Sequence, residues 1–331
     1  MNVKVTHGVI EERDADAIIV GIFKGEELAG AAKDVDAALD GAIAELIEGG
    51  DFSGKDDDVA VLYPRGAIPA RRVIVVGLGA MDAWDANAGR NATHQAVHKA
   101  RQLKARTVAI PHYDQRNVES MAQAVVEGAL LATYNYRGQK TGESSTDEVE
   151  TVELVVPEEK NVPAVEQGVE AGEAIFAGVT LTRDLVNLPP NICTPEYMAQ
   201  TARDVAEAVG LRVEILEKRQ MESLGMGALL GVAQGSDTPP RFIILEHNAD
   251  RADELDTIVL AGKGVTFDTG GYNLKTGEGI GHMKTDMAGA AAVIGAMRAI
   301  GALDVELHVV GLAPAADNMI SGHAYRPQEV I

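Results

Sequence analysis

The chain has a single cysteine, Cys193, among its 331 residues. No disulfide can form within it, and any metal site would have to use oxygen and nitrogen donors. Cations are also scarce. Lys and Arg number 29 against 50 Asp and Glu, for a formal charge of −21. Such a field repels nucleic acid and anionic membrane surfaces, so neither is expected as a partner. No run of residues approaches the roughly 18 apolar positions that a membrane helix needs. The opening places Glu11, Glu12, Arg13 and Asp14 before a short apolar run, which is not the pattern of a signal peptide. Internal repeats are absent as well. Together these absences lead to the expectation of a soluble, cytoplasmic protein.

What is present is apolar content of 46%, enough for a substantial core, and a length that suggests about two domains. Strand-like runs at residues 17–23, 59–63, 73–77 and 107–110 alternate with helical patterns at 37–48 and 88–103, which argues for an α/β domain. Residues 71–79 resemble the start of a dinucleotide fingerprint, but the third glycine is missing, and a strand ending in a turn accounts for them. Residues 138–167 are polar and acidic except for an alternating run at 152–156, and they are expected to close the first domain, residues 1–165. A helix over 169–186 then leads into a second domain, residues 166–331, and stops at three prolines between 187 and 195. Helices are expected at 196–209, 217–224 and 288–300, and strands at 212–216, 241–245, 257–261 and 305–312, with a glycine-rich turn before 241.

The chemistry concentrates in residues 261–292, AGKGVTFDTGGYNLKTGEGIGHMKTDMAGAAA, directly after a strand that reads as buried. Asp268 precedes Thr269 and two glycines that let a loop come close to a ligand, a suitable place for a hard-cation ligand or simply a turn residue. Asp286 stands before a run of small residues that reads as a helix start, where a carboxylate either caps the helix or binds a cation. Lys263, Lys275 and Lys284 share this window, and lysine is seldom buried without a partner. For Lys263 to ligate a metal, its amine must lose a proton, at a cost of about 4–5 kcal/mol at pH 7. Charge pairing with Asp268 avoids that cost and is the simpler physical reading. Lys275 can stay charged and polarise a carbonyl.

This segment resembles the signature region of the leucyl aminopeptidases, the cytosol aminopeptidase family of two-metal exopeptidases. The similarity runs on through residues 187–195, 225–236, 239–246 and 318–322 to Arg326 and Pro327, with a weaker echo at 127–131 and 136–141. The resemblance implies a macro-like N-terminal α/β domain followed by an incomplete α/β metallo-exopeptidase domain with a central mixed sheet. It implies that Lys263 is an amine ligand, that Asp268 bridges two divalent ions, Mn²⁺ or Zn²⁺, and that Asp286 binds one ion and the substrate's amino terminus. It assigns Lys275 to the developing gem-diolate and Met283 to the pocket for the first side chain, favouring apolar residues such as leucine. The implied activity is release of N-terminal residues from peptides, in a homohexamer.

The family pattern continues beyond Arg326 and Pro327 to an Asn-Thr-Asp-Ala-Glu-Gly-Arg segment with two further carboxylate ligands and an arginine. No such segment occurs between Met1 and Ile331, so three of five protein ligands are matched. Thr269, Asp317, Gln328 and Glu329 are smaller departures from the family pattern. The expectation is a piece of a full aminopeptidase, truncated at its C-terminus. The alternative is a non-catalytic scaffold or binding protein of the same fold.

Overall fold

Strands that read as unbroken apolar runs are those buried on both faces, and residues 17–22 and 73–77 form two of them. In a computed structural model, which describes residues 1–113, 117–142 and 148–331, they lie side by side in a six-stranded sheet. Its strands are β1 (Asn2–His7), β2 (Ala17–Ile22), β3 (Val59–Leu62), β4 (Val73–Gly77), β5 (Thr107–Pro111) and β6 (Thr151–Val156), in the order β1-β6-β5-β2-β4-β3. All pairings are parallel except β3 with β4. Side chains alternate between the faces. Ile18, Val20, Val73 and Val75 pack with helices α1 (Gly30–Ala38) and α2 (Ala42–Glu48). Ile19, Ile74 and Val76 pack with α3 (Ala86–Gln102) and α4 (Val118–Thr133). Helices on both faces are what a parallel sheet requires.

The chain forms two units, one of Met1–Asn135 with Gly142–Glu173 and the other of Tyr136–Thr141 with Ala174–Ile331. One expectation for the first unit needs correction. The helix expected over 37–48 is two helices, because Asp40 (φ 53°) and Gly41 (φ 87°) are left-handed and end α1. Asp36 then accepts hydrogen bonds from the amides of Ile43 (2.7 Å) and Ala44 (3.1 Å), satisfying the start of α2 from outside it. Residues 152–156, the alternating run within the acidic stretch, form β6, which lies between β1 and β5. Residues 143–147 of that stretch lie outside the described residues. Strand β1 and helix α4 were not foreseen. At the glycines of the would-be fingerprint, a Cβ on Gly77 would come within 1.9 Å of the Lys55 carbonyl oxygen, so that glycine makes room for the chain's own loop.

Asp16 ties the start of β5 to the end of the loop before β2. Its Oδ2 accepts from the amides of Arg106 (2.9 Å) and Thr107 (3.1 Å), and Arg71 lies 3.5 Å from Oδ1. Burial raises its pKa, but these hydrogen bonds and the Arg71 charge outweigh that and hold it below the ordinary carboxylate value. A depressed folded pKa means a stabilisation that is complete above the unfolded value, about 3.9, and lost as pH falls through the folded one. The stability gap between wild type and Asp16→Asn is therefore expected to narrow on acidification below about pH 4. Denaturation followed by the fluorescence of Trp84, the sole tryptophan, reads it. A gap that stays constant down to the acid limit would refute the assignment.

Helix α5 (Val162–Asn187) carries the chain from the first unit into the second, and α6 (Pro195–Val209) follows. The start of α6 has Pro195 in its first turn and Thr194 at the N-cap, accepting from the Tyr197 amide at 3.2 Å. After it come β7 (Arg212–Leu216), α7 (Lys218–Ser223), α8 (Gly227–Ala233), β8 (Arg241–His247), β9 (Thr257–Ala261), β10 (Gly264–Asp268), α9 (Ala288–Leu303) and β11 (His308–Asn318). The sheet runs β10-β11-β8-β7, with β9 also on β11. The β9 and β10 pairings are parallel and the others antiparallel. One face packs on α6 and α9 through Ile243, Leu245, Met198, Ala202, Ile294 and Met297.

Here too the structure departs from the sequence reading. Strand β9, expected to be buried, exposes Ile258 (43%) and Val259 (55%), and the buried strand is β10, for which no strand was expected. Strand β11 passes through Pro314 to Asn318 instead of ending at residue 312, and α8 is helical where a turn was expected. One helical run, Glu278–Leu303, is long and apolar enough by composition to cross a membrane, contrary to the expectation that none would be. Within it, α9 is a core helix with Ala290, Ala291, Ile294 and Met297 fully buried.

Candidate metal centre

The site begins with an interruption in a strand. Strands β9 and β10 pair with successive stretches of the same edge of β11, residues 308–312 and 315–318, and Gly262 and Lys263 fill the step between them. Pro314, which has no amide hydrogen to offer a ladder, lies opposite this step. Gly262 permits a close approach: a Cβ there would lie 2.1 Å from the carbonyl oxygen of Gly289. The Ala290 amide, in the first turn of α9, donates to the Lys263 carbonyl at 2.8 Å. Lys263 and the start of α9 are thus held together by backbone.

A five-residue separation along a regular strand would put Lys263 and Asp268 on opposite faces. The register shift between Val265 and Phe267 changes that phase by one residue. At the end of β10, Asp268 accepts from three donors: the Gly270 amide at 2.9 Å, Asn318 Nδ2 at 2.6 Å and Lys275 Nζ at 2.5 Å. Burial raises its pKa, but these bonds, that of Lys275 first, hold it below the ordinary carboxylate value. The loop that returns Lys275 is closed by the Lys275 amide donating to the Thr269 carbonyl at 2.8 Å. It needs the left-handed Gly270 (φ 87°), where a Cβ would also meet the Asn273 carbonyl at 2.3 Å.

A 3₁₀ helix, Glu278–Thr285, packs on β10 and connects the two ends of the site. Its Met283 brings Sδ to 3.0 Å from Lys275 Nζ. Asp286 follows directly and pairs with Lys263, Nζ to Oδ2 at 2.5 Å. The expected pairing of Lys263 with Asp268 is therefore incorrect: Lys275 is the cation on Asp268, and Lys263 is the cation on Asp286. Nor does Asp286 cap α9, whose N-cap is Met287, with no side-chain hydrogen bond. The third lysine of the window serves another purpose. Lys284 Nζ donates to the Asn187 carbonyl at 2.7 Å, with those of Val186 and Leu188 at 3.4 Å, and so satisfies the end of α5. Burial holds its pKa below the ordinary lysine value.

Behind the site lies a buried network that the sequence reading did not assign. Asp317, 1% exposed, neighbours Asn318 on β11 and accepts from Thr266 Oγ1, from Ser236 Oγ at 3.2 Å and from Arg326 at 2.8 Å. Arg326 also reaches Glu329 and the Pro190 carbonyl. The signal for Asn318 and Arg326 was their place in the resembling segments, without any indication that they meet β10. Burial pushes the Cys193 thiol up to about 12, so it is not a nucleophile here.

The arrangement of a lysine at a strand step, an aspartate at the strand end and a second aspartate before a helix can be compared with known proteins. The family description "Cytosol aminopeptidase family, catalytic domain" matches residues 180–331, and the N-terminal domain of the same family matches residues 19–143. The chain belongs to the cytosol aminopeptidase family. The resemblance read from residues 187–327 is thereby borne out, as is the two-domain α/β fold. Curated family members include the probable cytosol aminopeptidases of Roseiflexus castenholzii, 41% identical over 335 residues, and Alkaliphilus oremlandii, 40% identical over 336 residues. Both alignments take in 100% of this chain, but 66% and 67% of the respective relative. Among solved structures, a mutant of tomato leucine aminopeptidase matches with a TM-score of 0.82 at 27% identity, covering 99% of this chain and 65% of that one. The bottromycin maturation enzyme BotP, in complex with Mn, matches with a TM-score of 0.74 at 31% identity, covering 94% and 62%. The chain thus spans about two thirds of the length of these family members.

The donors present fit a divalent ion in kind. Two carboxylates and one amine are hard and borderline ligands of the sort that Mn²⁺ and Zn²⁺ accept. Each carboxylate already has a lysine ammonium 2.5 Å away, at positions where a dication would be equally favoured. Among the described residues no group of three or more His, Cys, Asp or Glu side chains is placed to hold an ion, so the amine of Lys263 is needed as a donor. Its side chain is 60% exposed, and an ion pair that open contributes about 0–1 kcal/mol, so releasing Lys263 from Asp286 costs little beside the deprotonation that ligation requires.

Proposed function

We propose that the protein is a metal-dependent aminopeptidase that releases N-terminal residues from peptides, preferring leucine and other apolar residues, with two divalent ions, Mn²⁺ or Zn²⁺. The observation that carries the reading is the 3₁₀ helix Glu278–Thr285, which joins the Lys275–Asp268 pair to the Asp286–Lys263 pair through Met283 and Asp286. Lys263, Asp268 and Asp286 would hold the ions, with Asp268 between them. Ions held there would supply the Lewis acidity that acidifies a water and polarises the scissile carbonyl. Lys275, a charged donor beside Asp268, would stabilise the oxyanion that develops on the substrate. Asp286 would accept the substrate's amino terminus, and Met283 would contact its first side chain. A homohexamer in the cytoplasm belongs to the same reading.

Calorimetric titration of the chain with Mn²⁺ is the direct test. Asp268→Asn, which removes a charge and keeps the shape, is expected to weaken binding by at least about tenfold, or ~1.4 kcal/mol. Absence of Mn²⁺ and Zn²⁺ binding by the unaltered chain would sink the proposal. The second reading, a non-catalytic scaffold or binding protein of the same fold, draws on the lack of a three-member His/Cys/Asp/Glu cluster among the described residues. Hydrolysis of a leucine anilide by the chain with added Mn²⁺ excludes that reading.

A further inference from the structure

Open parallel sheets hold ligands beyond the carboxyl ends of their strands, where loops and helix N-termini line the crevice. The first unit has a cavity of about 340 Å³ in that position, bordered by Gly8, Ile22, Pro111 and Pro157 at or just past the ends of β1, β2, β5 and β6. Its size suits a small molecule. The walls are apolar, with Ile10, Ile22, Phe23, Leu28, Leu78 and Met81. Four carboxylates, Glu11, Glu26, Glu27 and Asp34, also line it together with His112 and Tyr113, and no lysine or arginine does. None of the four has an ion-pair partner among the described residues. Gly30, Ala31 and Ala32 of α1 also line it, and the Ala29 N-cap provides no side-chain hydrogen bond to them. The first amides of a helix need acceptors from outside it.

We infer that this cavity binds a small apolar primary amine bearing a neutral carbonyl, the class of amino-acid amides and of peptide N-termini. The apolar side chain lies on the walls, the ammonium among Glu11, Glu26 and Glu27, and the carbonyl oxygen at the start of α1. Charge selects among the possible occupants. An anion would enter the field of four carboxylates, and a neutral apolar molecule would gain nothing from them, since Glu26, Glu27 and Asp34 are exposed to water. A monocation with an apolar body complements both features at once. The inference rests on the first unit alone and holds whether or not the metal centre is catalytic.

Trp84 reports on this cavity. It stands edge-on to Phe23, with centroids 5.2 Å apart, and to Tyr113 at 6.1 Å, and both rings line the cavity. Leucinamide is titrated into the full chain in the presence of a chelator, which prevents hydrolysis, and Trp84 fluorescence is followed. A saturable change in the millimolar range or below is expected. The neutral isostere 4-methylpentanamide is expected to bind at least about tenfold more weakly, and a Glu26→Gln, Glu27→Gln double variant to weaken leucinamide by a similar factor. Both glutamates are exposed, so the variant keeps the fold, and its circular dichroism verifies that. No saturable change with leucinamide, equal binding of the neutral amide, or an unaffected double variant would each overturn the inference.

Discussion

Replacing Arg326 by methionine is expected to destabilise the second unit by about 3–5 kcal/mol, the usual cost of removing one partner of a buried ion pair. Methionine fills much the same volume, so the loss is electrostatic. The guanidinium is 10% exposed and donates to Asp317 at 2.8 Å, to Glu329 at 2.5 Å and to the Pro190 carbonyl at 3.3 Å. Without it, the Asp317 carboxylate, 1% exposed, keeps only the hydroxyls of Thr266 and Ser236. Adding Asp317→Asn removes the stranded charge and is expected to restore part of the loss, so the two changes are non-additive. Denaturant unfolding followed by circular dichroism measures both. An Arg326→Met transition within about 0.5 kcal/mol of wild type would mean that the pair contributes nothing, as surface pairs often do.

Gly262→Ala is expected to cost about 3 kcal/mol, at the upper end of ordinary overpacking. The new Cβ would lie 2.1 Å from the Gly289 carbonyl oxygen, 2.4 Å from its carbon and 2.8 Å from the Ala290 nitrogen. These are backbone atoms of a helix start and cannot rotate away as a side chain can. Relief requires α9 to move, which breaks the bond from the Ala290 amide to the Lys263 carbonyl and separates Asp286 from Lys263. Mn²⁺ affinity is therefore expected to fall together with stability. Gly279→Ala is the control, because a Cβ there meets nothing within 4 Å. Equal stability of the two variants would show that the close approach at Gly262 does not hold the site together.

Much of the architecture was legible because it follows from local periodicity. The unbroken apolar runs of β2 and β4 and the helical spacing of α3, α6 and α9 are properties of short windows. The errors fell where distant segments decide. Residues 257–261 and 264–268 are both short and partly apolar and both pair with β11, and the second is the buried strand because the distant 3₁₀ helix Glu278–Thr285 packs on it. Pro314 lies past the expected strand end at residue 312, and the strand continues through it because it faces the step at Gly262 and Lys263. The break between α1 and α2 depended on left-handed backbone at Asp40, which residue type indicates only weakly.

For the candidate site, the sequence alone pointed to the family and offered Lys263, Asp268, Lys275, Met283 and Asp286 as candidates, because the signature is contiguous and its glycines and charges stand in the chain itself. Which cation meets which carboxylate was decided by the fold. The register shift in β10, the left-handed Gly270 that turns Lys275 back, and the contact between Gly262 and Gly289 are relations between backbones far apart or bent within a loop. Coulomb attraction depends on distance, and sequence separation does not determine distance. Charge pairing could therefore be anticipated from the sequence, but the Lys263–Asp286 and Lys275–Asp268 pairs had to come from tertiary structure.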